Sequence, residues 1–268
     1  MSDNSQIQIQ YPDLQPWVQP AKDKVLESVM LLRKMHAKGL LGGAVMPEDA
    51  NPGLPLHSTE NYHFFTLPMA LNYQRNSYSL WRAATSTFLD PETRAVFDPS
   101  LAASMDEDEL RTKLLKHRVA LQPNAHTRIW RRISASIVEL LEADIRVLFR
   151  ATHGSVAKIL DFVQIQHPKS FPYLCGPKIC NYWLYVMSQY SDADLIDRHS
   201  LNVAPDTHVI QATVRLGLVD PHVLSLPGAA QIVASAWAEL FAGTGIAPID
   251  VHTPLWLWSR GGFRQIHD

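Results

Sequence analysis

A lysine and an aspartate, 28 residues apart, each stand where a helix is about to begin. Lys178 follows Gly176-Pro177 and opens a run whose proline start and apolar spacing predict a helix over 177–189. Asp206 precedes Thr207-His208-Val209-Ile210 in the same way and reads as an ordinary N-cap for a helix over 207–218. A cation in a first turn opposes the helix dipole, so the placement of Lys178 asks for a reason other than helix stability. Amine and carboxylate are also two of the side-chain types that nucleophilic and acid–base chemistry draws on.

The elements that must hold this pair are helical. Val25, Val29, Leu32 and Met35 recur at spacings of three and four and predict a helix over 24–36. Residues 47–60 carry three prolines and Gly53 and read as a loop. Helical pieces with aromatic faces follow over 61–89, then helices over 106–121 and 126–142, the latter with Ile129, Ile133, Ile137, Leu140 and Leu141 on one side. One or two more lie in 144–166, broken near Gly154, and further helices are expected over 229–242 and 254–260. No stretch shows a sustained period of two. The expected fold class is all-α: a polar arm over 1–22, then a single helical domain over 23–268.

Composition sets the limits. With 46% hydrophobic and 19% charged residues, the chain is too apolar for a disordered protein. No apolar run approaches the roughly 18 residues of a membrane span, and MSDNSQIQIQ lacks the basic and apolar regions of a signal peptide. An intracellular protein is expected, cytoplasmic or nucleoid-associated. Cys175 and Cys180 are the only cysteines, too few for an iron–sulfur cluster or a disulfide framework, so neither metal nor other cofactor is expected. The net charge of −2 excludes a uniformly basic surface, yet residues 111–150 hold nine basic side chains against three acidic ones. That stretch is either a solvated helix face or a phosphate-facing patch.

Gly176-Pro177-Lys178-Ile179-Cys180-Asn181 resembles the end of the hairpin and the start of the second helix in the helix-hairpin-helix DNA glycosylases. Pro205-Asp206-Thr207-His208-Val209, with Arg215-Leu216-Gly217-Leu218 after it, is similar to the aspartate motif of that superfamily. The lysine-to-aspartate spacing is longer than in endonuclease III and resembles that of the archaeal 8-oxoguanine DNA glycosylases. The tail from Thr244 to Trp258, with Ile246-Ala247-Pro248 and Leu255-Trp256-Leu257-Trp258, is similar to theirs, and Asn72-Tyr73 and Trp81 fit a corresponding upstream helix. The likeness covers roughly 61–90 and 170–262.

This resemblance implies a two-lobed helical fold with a cleft, and a monomeric enzyme that excises a damaged purine from double-stranded DNA. Asp206 would stabilise the oxocarbenium-like transition state, and Lys178, as a neutral amine, would form a Schiff base at C1′ that also permits strand cleavage. Trp256 and Trp81 would wall the extruded base, with core packing as the alternative for each. Asn181 would touch the base, orient the lysine or bond backbone, and His252 stands where the archaeal enzymes have an acidic residue. His208 reads as a structural histidine. Gly176, with Arg128, Arg131 and Arg132 from the basic stretch, would meet the DNA backbone.

The departures are specific. The hairpin Leu174-Cys175-Gly176 has one glycine where the family has two, and the iron–sulfur loop of endonuclease III is missing. Near-neutral charge and the reduced hairpin fit a queuosine-salvage-like nucleotide N-glycosylase; Lys178 fits the DNA enzyme. A binding module without catalysis is the third reading.

Overall fold

Ile129, Ile133, Ile137 and Leu141 share one face of a single long helix and are all buried along it, and residues 123–141 form the longest element among the described residues. The structure, a computed structural model, describes residues 20–42, 45–73 and 75–266. Twelve α-helices succeed one another among these residues: α1 (Lys22–Ala37), α2 (Thr59–Thr66), α3 (Ser77–Leu89), α4 (Pro99–Ser104), α5 (Glu107–Lys116), α6 (Pro123–Leu141), α7 (Arg146–Ala151), α8 (Val156–Leu160), α9 (Pro177–Tyr190), α10 (Thr207–Arg215), α11 (Ala229–Phe241) and α12 (His252–Arg260). β pairing among the described residues is confined to an isolated bridge between Ser155 and Ile196. The fold is all-α, as the periodicity predicts. Of the arm expected over 1–22, residues 1–19 lie outside the described residues, and Lys22 already begins α1.

Helix starts follow local chemistry. Ser58, Asn76, Asp98, Asp106 and Ser155 each accept a first-turn backbone N–H, and Pro99, Pro123 and Pro177 occupy first-turn positions where a missing N–H costs nothing. No helix among the described residues is long and apolar enough to cross a membrane.

The buried apolar residues form two clusters. The larger runs from Tyr62 to Leu201 and adds Ala247 and Ile249. The smaller joins the face of α1 (Val25, Val29, Leu32, Met35) to residues from Val203 to Trp258. Trp81, Trp130, Trp183 and Trp237 are fully enclosed, and each indole N–H has an acceptor: Glu48, the Val96 carbonyl, Thr66 and Thr213. Burying a tryptophan without such a partner would forfeit about 1–3 kcal/mol of what its apolar area returns.

Candidate active site

α9 carries the lysine. Gly176 is its N-cap and offers no side-chain acceptor, so the positive end of the helix is left bare beside Lys178. Cys180, Trp183, Leu184 and Met187 turn into the core, while Lys178 and Tyr182, one turn apart, line a pocket of about 400 Å³ together with Ile179. The mouth of the pocket keeps Lys178 solvent-accessible. The surrounding protein nevertheless lowers its pKa by desolvation, while the Asp206 carboxylate acts in the opposite direction.

Asp206 caps α10, as its sequence position predicts: Oδ1 accepts the Val209 N–H at 2.9 Å. Its other oxygen is taken as well, for Oδ2 accepts the indole N–H of Trp256 at 3.0 Å. Trp256 comes from α12, where His252, Trp256 and Arg260 recur at intervals of four. The Arg260 guanidinium lies 4.6 Å over the Trp256 ring and 5.0 Å over that of Tyr78, and His208 meets Trp256 edge-on at 5.9 Å. His208 also pairs its Nδ1 with the Ser259 hydroxyl at 3.2 Å, tying α10 to α12 in the structural role expected of it.

His252 lines the same pocket, and its buried Nδ1 has no hydrogen-bond partner. Burial pushes the imidazole down to about 4, so the ring is neutral at physiological pH, with one nitrogen a donor and the other an acceptor. Lys178, Asp206, His252 and Trp256 are therefore assembled around one cavity from three separate helices.

Two expected members are elsewhere. Trp81 is fully buried, packed at a tilt against Phe64 and Phe65, and spends its N–H on Glu48 at 2.8 Å; it cannot wall a bound base. Asn181 is 8% exposed and acts within the backbone, donating to the Pro177 carbonyl at 2.7 Å and accepting the Asn202 N–H at 2.8 Å. It joins the start of α9 to the strand of chain that leads to Asp206, so it positions both motifs without entering the pocket.

The turn that precedes α9 bends at a residue other than glycine. Tyr173 occupies the left-handed region (φ 63°), with the Cys175 N–H on the Phe171 carbonyl at 2.8 Å and the Gly176 N–H on the Tyr173 carbonyl at 3.1 Å. That turn leaves Tyr173 47% exposed, its ring 5.7 Å from that of Tyr73, which is 55% exposed. Both rings border a smaller hollow that shares Arg75 with the main pocket. Arg75 spends Nη1 and Nη2 on the Val119 and Arg118 carbonyls, at 2.7 and 3.2 Å, and its buried Nε is unpartnered. Gly176 sits at the foot of this turn; a Cβ there would come within 3.2 Å of the Tyr173 carbonyl.

The basic stretch is largely neutralised from within. Arg111, Lys113, Lys116, Arg131, Arg132, Arg146 and Arg150 all face acidic side chains, among them Glu107, Glu109, Asp90, Glu139 and Asp144. Arg131 also donates to the Met105 carbonyl and Arg132 to Ser170. Arg128 is exposed and has no acidic partner among the described residues. None of the three lines the pocket.

Sequence reading missed Arg75, Tyr182 and the Met46-Pro47 wall, together with Glu48 behind it. Tyr182 alone had a visible signal, its four-residue spacing from Lys178. Among the described residues no cluster of three or more His, Cys, Asp or Glu could hold a metal ion. No protein-family model matches the chain, and no curated protein matches it.

Proposed function

We propose that the pocket belongs to an N-glycosylase that removes a damaged purine, 8-oxoguanine in the first instance, from double-stranded DNA, with an associated lyase step. The supporting observation is the meeting of Lys178, its pKa lowered, and Asp206, held at both oxygens, in one cavity. Hydrolysis alone needs no lysine there. On this reading the two hydrophobic clusters are two lobes, and the enzyme works as an intracellular monomer.

The neutral amine of Lys178 attacks C1′ while the C1′–N9 bond breaks and its electron pair departs on the base. Asp206 stabilises the positive charge that develops on the sugar and passes the surplus amine proton to the leaving purine. The nitrogen lone pair then opens the ring: O4′ leaves with its pair and takes up a proton, giving a protonated Schiff base. Loss of a C2′ proton expels the 3′ phosphate. Trp256 walls the base, and His252, neutral, lines the pocket beside it. The exposed Tyr73–Tyr173 pair beside the mouth supplies a stacking surface of the kind that disrupted duplexes need.

The internal pairing of the basic stretch favours a second reading, a hydrolase of a free modified nucleotide, which grips one phosphate at most. Incubation with a duplex holding one 8-oxoguanine, with and without borohydride, separates the two. A trapped covalent adduct that disappears in Lys178→Gln is the expected result. Release of base from a free nucleotide, with no adduct on any duplex, overturns the DNA reading.

A further inference from the structure

Behind the pocket wall lies a carboxyl group with no cation on it. Glu48, in the middle of the turn Pro47–Asp49, is 1% exposed, and its Oε1 accepts from the Trp81 indole at 2.8 Å and the Tyr182 hydroxyl at 3.0 Å. Asp49 beside it accepts the Tyr190 hydroxyl at 2.8 Å and the Met46 N–H at 2.6 Å, while the Ala50 carbonyl accepts from Thr85 at 2.5 Å. One short loop is thereby fastened to α3 through Trp81 and Thr85, and to α9 through Tyr182 and Tyr190. The same loop delivers Met46 and Pro47 to the pocket, opposite the turn of α9 that presents Lys178 and Tyr182.

We propose that Glu48 is a positioning residue for the site: in its protonated form it clasps the Met46–Pro47 wall onto α9 beside Lys178, and on ionising it lets that wall loosen. The charged groups around it offer an ionised carboxylate nothing. Its own turn contributes Asp49, a like charge; α3 contributes Trp81; α9 contributes Tyr182, Tyr185 and Tyr190; and α12 contributes His252, neutral and 5.1 Å from the Tyr182 ring. Its own backbone N–H and the two side-chain donors, all neutral, do not repay the desolvation of an isolated charge. Burial accordingly pushes the carboxyl up to about 7, against the lowering effect of its own backbone N–H and of the Tyr182 and Trp81 hydrogen bonds. A loosened, solvated loop would return it towards 4.5. Closure therefore holds best below 4.5, weakens by up to tenfold per pH unit between those two values, and is flat above 7.

The inference rests on the glycosylase reading only in calling this a catalytic pocket; the clasp itself is testable without activity. The Met46, Asp49, Ala50 and Asn51 amides are hydrogen-bonded within the loop, and their hydrogen exchange, corrected for intrinsic pH dependence, reports its opening. Protection of these amides in the wild type should fall at least tenfold between about pH 5 and 7.5 while α6 amides hold steady. Glu48→Gln, a neutral isostere that still accepts both bonds, should be protected at every pH. Tyr182→Phe should open further at each pH and keep the slope. Wild-type protection that does not change with pH overturns the proposal, as does a Glu48→Gln loop that follows the wild-type curve. In the activity arm, KM for the duplex should rise over the same interval in the wild type and stay level in Glu48→Gln. Loop exchange that behaves as expected, with no base released from any duplex, supports the clasp and sinks the glycosylase reading alone.

Discussion

The indole N–H of Trp256 lies 3.0 Å from Oδ2 of Asp206, so the residue expected to wall the base also fixes the carboxylate beneath it. With Val209 on Oδ1, Asp206 has both oxygens held and cannot rotate away from the pocket. The two bonds leave lone pairs free for a developing cation, which is the arrangement that preorganised electrostatic stabilisation requires.

Replacing Trp256 by Phe keeps an aromatic wall and removes only the donor. A hydrogen bond to a charged group contributes about 1.5–3 kcal/mol, so single-turnover excision should slow by roughly 10- to 150-fold. Affinity for damaged duplex should change little. A Phe variant with wild-type turnover would show that the bond has no part in the chemistry.

Asp206 has two roles that separate by substitution. Asn caps helices as well as Asp does, so Asp206→Asn should melt near the wild-type temperature and yet lose several orders of magnitude in turnover. Asp206→Ala should lose about 1 kcal/mol of stability as well. Thermal melts beside single-turnover assays decide the matter: an active Asn variant reduces Asp206 to a cap.

The lysine should reveal itself in pH dependence. Desolvation places its pKa below that of a free lysine, so borohydride trapping should rise with pH and level off before the ordinary lysine range. Asp206 opposes that shift, hence Asp206→Asn should move the midpoint to lower pH even as the rate falls. A midpoint that moves upward contradicts the assignment of the two charges to one site.

Salt dependence separates polymer from small molecule. Binding to duplex should weaken steeply with salt, by roughly 0.9 in log affinity per log unit of salt for each phosphate contacted. Among the three α6 arginines, Arg128→Glu should flatten that slope by about one unit, because Arg128 has no acidic partner to lose. Arg131 and Arg132 already serve Glu107 and Glu139, so reversing them should also register as lost stability. Filter binding across a salt series reads the slope, and a shallow line for all variants favours the nucleotide.

The longer helices were legible because they bury a stripe that repeats at three and four, as α6 shows in its isoleucines. The six-residue α4 (Pro99–Ser104) is too short to show a period and was not foreseen. Lys178 and Asp206 were legible because both stand at helix starts, where local chemistry sets geometry. Trp81 was misread for a reason that sequence does not contain: a tryptophan on an amphipathic helix looks the same whether its face meets a cavity or a core. Here Phe64 and Phe65 cover the ring. Asn181 shares the first turns of α9 with Lys178, but its amide is diverted to Pro177 and Asn202, partners whose nearness only the tertiary fold creates. Glu48 sits in a proline-rich loop with no periodicity to read, and its burial depends on Trp81 and Tyr182 closing over it from distant helices.

The division of the core carries a consequence for the order of assembly. Val25, Val29, Leu32 and Met35 of α1 pack against residues from Val203 to Trp258 and have no share in the cluster that begins at Tyr62. During synthesis from the N-terminus, α1 emerges first and waits with its apolar face uncovered while the middle of the chain gathers around α6 and α9. The docking of α1 is complete only when α12 has left the ribosome, and α12 also brings His252 and Trp256 to the pocket that holds Lys178. The pocket is the last part of the molecule to exist, so a nascent or half-folded chain carries a lysine with no aspartate fixed opposite it.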